Sequence, residues 1–381
     1  MSEWRIPLSD LDYGPEEEEA VLRVVRSMWL TMGPEVEAFE REFARAVGVA
    51  YAFAVANATA GLHLAFLALG IRPGDEIVQP AINFVAAANM TVAIGGTPVF
   101  ADIVSLAEPV LDPADVERCL TPRTRAVVVM YYGGYYGQTR RIREICRNHG
   151  VALIEDACHA VGAQSRDVGG MAGSLGDVAC FSFFGNKNLA TGEGGMVTTS
   201  RADLAEQIKL LRSHGMTTLT WDRHRGHASK YDVRTPGYNY RLDELHAALG
   251  RVQLRKLAAN NERRRQRVLQ YRAMFTRLPG WVVPFAHVEL ESAYHLMTVV
   301  APDAAARAGA AESLGAARIQ TSLHYPLVPD YSAYSGVPRR DLPRSREFAR
   351  RVITLPLFPT MDAAQVAQVA STLVDSATRG T

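Results

Sequence analysis

The run RAVVVMYYGG (125–134), QTRRIREICRNHG (138–150), VALIEDACHAVGA (151–163) decides how the chain is built. The first segment is a continuous apolar stretch, the second has a helical pattern with a glycine stop, and the third is apolar until Glu155-Asp156 and its exit loop. The order reads strand, helix, strand. Strands that are apolar throughout, rather than alternating, are buried on both faces, as in a mostly parallel sheet covered by helices.

The alternation continues outward. Toward the N-terminus AFAVAN (52–57) leads into the helical ATAGLHLAFLALG (58–70), and GDEIVQP (74–80) reads as a short strand. NFVAAANMTVAIGG (83–96) reads as a helix, TPVFADI (97–103) as a strand, and DPADVERCL (112–120) as a helix capped by Asp112. Toward the C-terminus VACFSFFGNK (178–187) and GGMVTTS (194–200) read as a hairpin whose turn region carries Lys187. From Leu242 to about Leu278 the pattern is helical, and its basic stretch ERRRQRVLQYR (262–272) is expected to be a solvated face. After Pro279-Gly280, WVVPF (281–285), YHLMTVVA (294–301) and RIQTSLHYPL (318–327) read as short strands, followed by the helix-like MDAAQVAQVASTLVDSA (361–377). The expected architecture is a large α/β domain over residues 1–255 and a smaller α+β domain over 256–381, which the N-terminal segment is free to join.

Bulk properties exclude several classes. The 381 residues carry a net charge of +1, which gives no electrostatic reason to expect nucleic acid or an anionic membrane. No apolar run approaches the roughly 20 residues of a membrane span. The acidic start lacks the basic and apolar regions of a signal peptide, so a cytoplasmic location is expected. Cys119, Cys146, Cys158 and Cys180 form no CxxC pair, which removes zinc-ligand spacing, and all four are expected to be reduced and buried. No metal is expected.

Of 41 basic residues four are lysine: Lys187, Lys209, Lys230 and Lys256. Lys209 and Lys256 fall in amphipathic helical patterns, where a solvated charge is the ordinary reading. Lys187 stands between the strand-like VACFSFF and the glycine-rich TGEGG. A lysine forms a Schiff base and has a pKa that burial lowers, whereas an arginine does neither; a loop lysine placed by chance is the alternative. Other residues fall at strand ends, where open α/β sheets bind ligands. The small residues of Asn57-Ala58-Thr59-Ala60-Gly61 let backbone N–H groups approach a phosphate, or simply form a cap turn. Asp156 ends its strand as a carboxylate suited to a ring nitrogen, or as a turn aspartate; His159 follows it. Phe84 suits a flat heteroaromatic ring, and Ser182 sits five residues before Lys187 within reach of a phosphate.

The ordered set ANATAGLHLAF, GDEIVQPAINFVAAANM, TPVFADI, TPRTRAVVVMYYGG, IEDACHAVGA, GDVACFSFFGNKNLATGEGGMV, RSHGM, GYNYRLDELHAALGRVQL, HYPL and LPLFPTM spans essentially the whole chain. It closely resembles the DegT/StrS family of nucleotide-sugar aminotransferases, fold type I enzymes that use pyridoxal 5′-phosphate. The resemblance implies a seven-stranded-type, mostly parallel sheet and a homodimer with the active site at its interface. It implies that Lys187 is the Schiff-base lysine, Asp156 the partner of the pyridine nitrogen, His159 a ring neighbour and Phe84 the stacking residue. Thr59, Ala60 and Ser182 match phosphate contacts, and Asn239 matches one supplied across the dimer interface. Arg241, His324 and Tyr325 match positions near the substrate. Pro236, Cys158, Tyr131 and His246 depart from the usual pattern without removing a cofactor contact.

The implied reaction passes an amino group from L-glutamate to a keto sugar on a nucleoside diphosphate. The wording of MYYGG and GNKNLATGEGGM points to C4 of a dTDP-4-keto-6-deoxy sugar, with C3 of a 3-keto sugar as the alternative. WDRHRGHASKY (221–231) interleaves cations and aromatics; Arg223 and Arg225 either close on the diphosphate or belong to a solvated loop. A sugar dehydratase of this family carries histidine at the lysine position, which Lys187 argues against. ANATAG is a poor match to a dinucleotide turn, and GEGG lacks the remainder of a P-loop. A regulatory protein that binds the cofactor or a sugar without turnover is the non-enzymatic alternative.

Overall fold

A computed structural model of the chain describes residues 4–165, 169–218, 221, 231–276, 278, 280–288 and 292–379. Two helices that the sequence reading did not anticipate come first, α1 (Pro15–Ser27) and α2 (Pro34–Val47). Each has proline at its start and acidic residues in its first turn, which suits the positive end of the helix. The sheet region follows as β1 (Tyr51–Val55), α3 (Ala58–Ala68), β2 (Glu76–Pro80), α4 (Ala86–Ala93), β3 (Thr97–Ala101), α5 (Pro113–Cys119) and β4 (Thr124–Met130). It continues through α6 (Thr139–His149), β5 (Ala152–Asp156), a small hairpin of β6 (Gln164–Ser165) and β7 (Gly170–Met171), β8 (Val178–Ser182), β9 (Gly195–Thr199) and α7 (Ala202–Leu211).

Seven strands form one sheet in the order β1-β9-β8-β5-β4-β2-β3. The contacts among β3, β2, β4, β5 and β8 are parallel, and β9 alone runs antiparallel, to both β1 and β8. The sequence-derived α/β class and mostly parallel sheet are therefore correct. Both sheet faces are apolar because successive residues point to opposite sides. On β4, Val127 and Val129 join the layer containing Phe39 and Phe43 of α2, while Ala126 and Val128 join the layer containing Leu62 and Phe66 of α3.

The same alternation separates Glu155 from its neighbour Asp156. Glu155 is fully buried and accepts from Tyr131 Oη at 2.5 Å and from the N–H groups of Gly173, Leu175 and Gly176 at 2.8, 2.7 and 2.6 Å. Tyr131 is thus a structural donor on the face away from Asp156.

Helix α8 (Glu244–Phe275) is 32 residues long and runs unbroken past residue 255, where the sequence reading divides the chain. Its first residue binds α2 end-on. The buried Glu244 carboxylate accepts from Gly33 N at 2.8 Å, Val36 N at 2.9 Å and Glu35 N at 2.9 Å, satisfying the open amides of that helix start. The basic stretch on α8 is not simply a solvated face. Arg264 is 2% exposed and donates to the carbonyls of His295 and Leu357, Arg267 donates to Met361 O, and Arg272 to Val288 O and Phe285 O. Carbonyls left over by the irregular C-terminal segments accept these guanidinium protons, which periodicity does not disclose. Lys256 is likewise paired rather than solvated, 2.9 Å from the buried Glu17 of α1.

The C-terminal body contains β10 (Met297–Val300), α9 (Ala304–Ala316), α10 (Pro343–Arg351), β11 (Val352–Leu355) and α11 (Ala363–Arg379). β10 pairs antiparallel with β11, which the sequence reading did not anticipate. The expected strands at 281–285 and 318–327 reduce to single bridges, Val282 to Val300, Ile319 to Ile6, Ser322 to Thr354 and Leu327 to Ile82. The N-terminal segment packs into this body through Ile6 and through Leu8 N, which donates to Gln320 Oε1 at 2.9 Å. The body is clasped to the edge of the large sheet by Asp102, which accepts from Ser345 N, Ser345 Oγ and Arg344 Nε at 2.7, 2.5 and 3.1 Å. Among the described residues no helix is long and apolar enough to cross a membrane.

Candidate active site

A cavity of about 490 Å³ opens where β4, β5 and β8 end at Met130, Asp156 and Ser182, beside the first turn of α3. That is where an open α/β sheet presents its carboxyl ends and helix N-termini. Eight of the residues singled out from the sequence line it together: Thr59, Phe84, Asp156, His159, Ser182, Lys187, His324 and Tyr325.

Lys187 sits on the twelve-residue connection between β8 and β9, whose antiparallel register from Ala179↔Thr198 to Ser182↔Gly195 holds both ends of the loop. Its N–H donates to Phe184 O at 2.9 Å. Burial pushes its amine pKa below the ordinary 10.5, while Cys158 and Asp156 pull it back up. Asp156 is 4% exposed, with Oδ2 accepting from Asn83 Nδ2 at 3.2 Å and Oδ1 from Cys158 N at 3.3 Å. Cys158 is half-buried and lines the cavity rather than filling the core as expected for all four cysteines.

The N-terminus of α3 forms one wall. Asn57 caps it, accepting from Ala60 N at 2.8 Å, and Thr59 faces the cavity while Ala60 lies behind it with its amide already bonded. On another side His159 Nε2 and Tyr325 Oη are 2.9 Å apart, and the His159 ring lies 4.3 Å from that of His295. His324 Nδ1 is 2.9 Å from Thr354 Oγ1. Burial, with the positive Lys187 nearby, lowers the pKa of His159 and His295 far below 6.5 and that of His324 to about 4. All three imidazoles are neutral at pH 7.

These groups fit the expected cofactor. The Phe84 ring is 58% exposed at a cavity lined by polar groups, an arrangement that suits a flat heteroaromatic ring. His159 Nδ1 and Asn186 Oδ1 are buried without a hydrogen-bond partner although their residues line the cavity, so a polar ligand there would meet unsatisfied groups. The helix start, Thr59 and Ser182 suit a phosphate, the lysine an aldehyde and the carboxylate a protonated ring nitrogen.

Not every expected residue converges. Asn239 is exposed and Arg241 half-buried, and neither lines the cavity within one chain. Arg223 and Arg225 lie outside the described residues. Conversely, Asn83, Asn186 and Glu193 line the cavity without having been singled out, as does Phe184. Asn188 and His295 stand directly behind Lys187: Asn188 Oδ1 meets His295 Nδ1 at 2.8 Å, and Asn188 Nδ2 donates to Asn261 Oδ1 at 2.8 Å and Ala293 O at 2.6 Å. For Asn83 and Asn188 the available signal was adjacency to Phe84 and Lys187; for His295 no local signal distinguishes a strand histidine from a site neighbour.

Known proteins are similar to the chain in sequence and fold. Residues 12–374 match the model of the DegT/DnrJ/EryC1/StrS aminotransferase family. The chain is 38% identical over 370 residues to the spore coat polysaccharide biosynthesis protein SpsC of Bacillus subtilis, covering 95% of this chain and 94% of SpsC. The crystal structure of the aminotransferase TlmJ from Streptoalloteichus hindustanus superposes with a TM-score of 0.91 at 34% identity, covering 100% of each chain. DesI, solved in the presence of its TDP-sugar product, superposes with a TM-score of 0.85 at 33% identity, covering 96% of this chain and 90% of DesI. With its lysine, carboxylate and helix start gathered at one end of a mostly parallel sheet, the chain belongs to the DegT/DnrJ/EryC1/StrS aminotransferase family and is a pyridoxal-phosphate-dependent nucleotide-sugar aminotransferase.

Proposed function

We propose that the chain transfers the amino group of L-glutamate to C4 of a 4-keto-6-deoxy sugar carried on dTDP, releasing 2-oxoglutarate and the amino sugar. The observation that carries the transamination is Lys187, an amine with a lowered pKa in a cavity that Asp156 also lines. Bound pyridoxal phosphate supplies an aldehyde for the amino group and a ring that withdraws electrons. Lys187 would hold the cofactor and, as a free amine, would carry the proton between the donor Cα and the cofactor C4′; a lowered pKa suits an amine acting as a base near neutral pH. Asp156 would keep the ring nitrogen charged, Phe84 would stack on the ring, His159 would contact it, and Thr59, Ser182 and the amides at the α3 start would hold the phosphate.

A homodimer completes this reading, with Asn239 of each chain reaching the partner's phosphate site; its exposure within one chain is compatible with that role. Arg241, His324 and Tyr325 are assigned to the substrate side, and Arg223 and Arg225 to the diphosphate. The C4 assignment rests on the likeness of MYYGG (130–134) and GNKNLATGEGGM (185–196) to C4-aminating members, and C3 amination is the second reading. The structure of DesI in the presence of its TDP-sugar product supports dTDP as the carrier.

The test is the reverse reaction across a panel of dTDP-4-amino and dTDP-3-amino sugars with 2-oxoglutarate, following keto-sugar release. Turnover of the 4-amino sugars is expected, and turnover confined to 3-amino sugars overturns the C4 reading. Borohydride reduction followed by peptide mapping should place the cofactor on Lys187, and recovery on Lys209, Lys230 or Lys256 would overturn that assignment.

A further inference from the structure

Asn83 lies in the turn between β2 and α4, 5% exposed, and its side chain engages two neighbours at once. Its Oδ1 accepts from Phe84 N at 2.7 Å, and its Nδ2 donates to Asp156 Oδ2 at 3.2 Å. The backbone that carries the aromatic ring and the carboxylate inside the cavity are therefore linked through one planar amide. An aspartate carboxylate turns in a broad, shallow torsional well, so a donor fixed on one of its oxygens selects its orientation.

We propose that Asn83 is a positioning residue that orients Asp156 and registers it against the Phe84 backbone, so that a carboxylate oxygen faces the cofactor's ring nitrogen and its negative charge holds the proton there. The inference rests on the assignment of Asp156 to that nitrogen. Without the amide, the carboxylate is free to turn away from the ring nitrogen, which then loses the negative charge that keeps it protonated, and the ring withdraws electrons less strongly when the donor Cα loses its proton.

The experiment compares holoenzyme carrying Asn83→Ala, Asn83→Asp and Asp156→Asn, each loaded with cofactor labelled with ¹⁵N at the ring nitrogen. Asn83→Asp keeps the acceptor for Phe84 N but replaces the donor with a second carboxylate, which repels Asp156 instead of holding it; it therefore tests the link to Asp156 while the turn is intact. Both Asn83 variants should still trap cofactor on Lys187 with borohydride. The ring-nitrogen resonance should shift toward the deprotonated position, further in Asn83→Asp. The glutamate half-reaction should slow by about tenfold or more, equivalent to about 1.4 kcal/mol, with the half-saturating glutamate concentration changed much less. A wild-type resonance and rate in both Asn83 variants, with a large change in Asp156→Asn, overturns the role of Asn83 alone. An unchanged resonance and rate in Asp156→Asn overturns the underlying assignment.

Discussion

Acid is the perturbation that reads the buried imidazoles behind the cavity. His159, His295 and His324 are buried, and desolvation first, then neighbouring positive charge, holds each below its ordinary value of 6.5. An unfolded chain takes up a proton on each near 6.5 and the folded chain does not, so stability is complete above that value and falls as the pH drops through it. At about pH 5 the size of the effect is set by the unfolded state, because 0.59 × ln(1 + 10^1.5) is about 2 kcal/mol for each histidine. The value of about 4 for His324 trims its share by less than about 0.1 kcal/mol. Three such groups cost about 6 kcal/mol, comparable with the whole stability of many domains. His246 acts in the opposite sense: its hydrogen bond to Asp243 raises its pKa, so the folded state gains there as the pH falls. Urea unfolding followed by intrinsic fluorescence at about pH 7.5 and about pH 5, at equal cofactor loading, should give a loss of about 4–6 kcal/mol. His295→Asn keeps an amide nitrogen to face Asn188 and should reduce that loss by about 2 kcal/mol. An identical loss in the variant, or a wild-type loss under about 1 kcal/mol, refutes the reasoning.

Two further substitutions probe the scaffold. A Cβ at Gly195 would stand 2.7 Å from Phe181 O and 2.8 Å from both Ala58 N and Asn57 C. Gly195→Ala should therefore push β9 off the first turn of α3 and weaken cofactor binding by about tenfold or more, read by fluorescence titration of the apo-protein; unchanged affinity would show that this turn does not hold the phosphate. Glu244→Ala leaves three amides of the α2 start without their acceptor and should lower unfolding free energy by about 2–4 kcal/mol in urea, with Glu244→Gln recovering part of it. A loss below about 0.5 kcal/mol in the alanine variant would place that carboxylate's contribution near zero.

Legibility in the sequence followed the range of the interaction. The strand–helix–strand units of the sheet were readable because each strand is apolar on both sides and each helix carries its own stop. Lys187 was readable because lysine is scarce in this chain and lies between a strand and a glycine-rich turn. The α1 and α2 helices were not read, since their charged surfaces dominate the composition; Phe39, Phe43 and Val24 reveal an inward face only once partners are known. β11 was missed because VITL is four residues long and its pairing with β10 is fixed by register across more than fifty residues. Adjacency to Phe84 and Lys187 points to Asn83 and Asn188, but what they do, like the place of His295, is set by hydrogen bonds between segments far apart in the chain, which no local pattern encodes.

The unbroken α8 rod has a consequence for dissection of the protein. At roughly 1.5 Å per residue it is about 48 Å long, and the two halves serve different neighbours: Glu244 and Val252 face the N-terminal helices, whereas Val268 and Tyr271 pack in the C-terminal body. Between them Asn261 reaches back to Val161 O and to the side chain of Asn188, the chain neighbour of Lys187. A gene split after codon 255 would hand one fragment a frayed stump and strip the other of its main support. Co-expressed halves should be recovered as a single reassembled particle, and each half alone should be degraded.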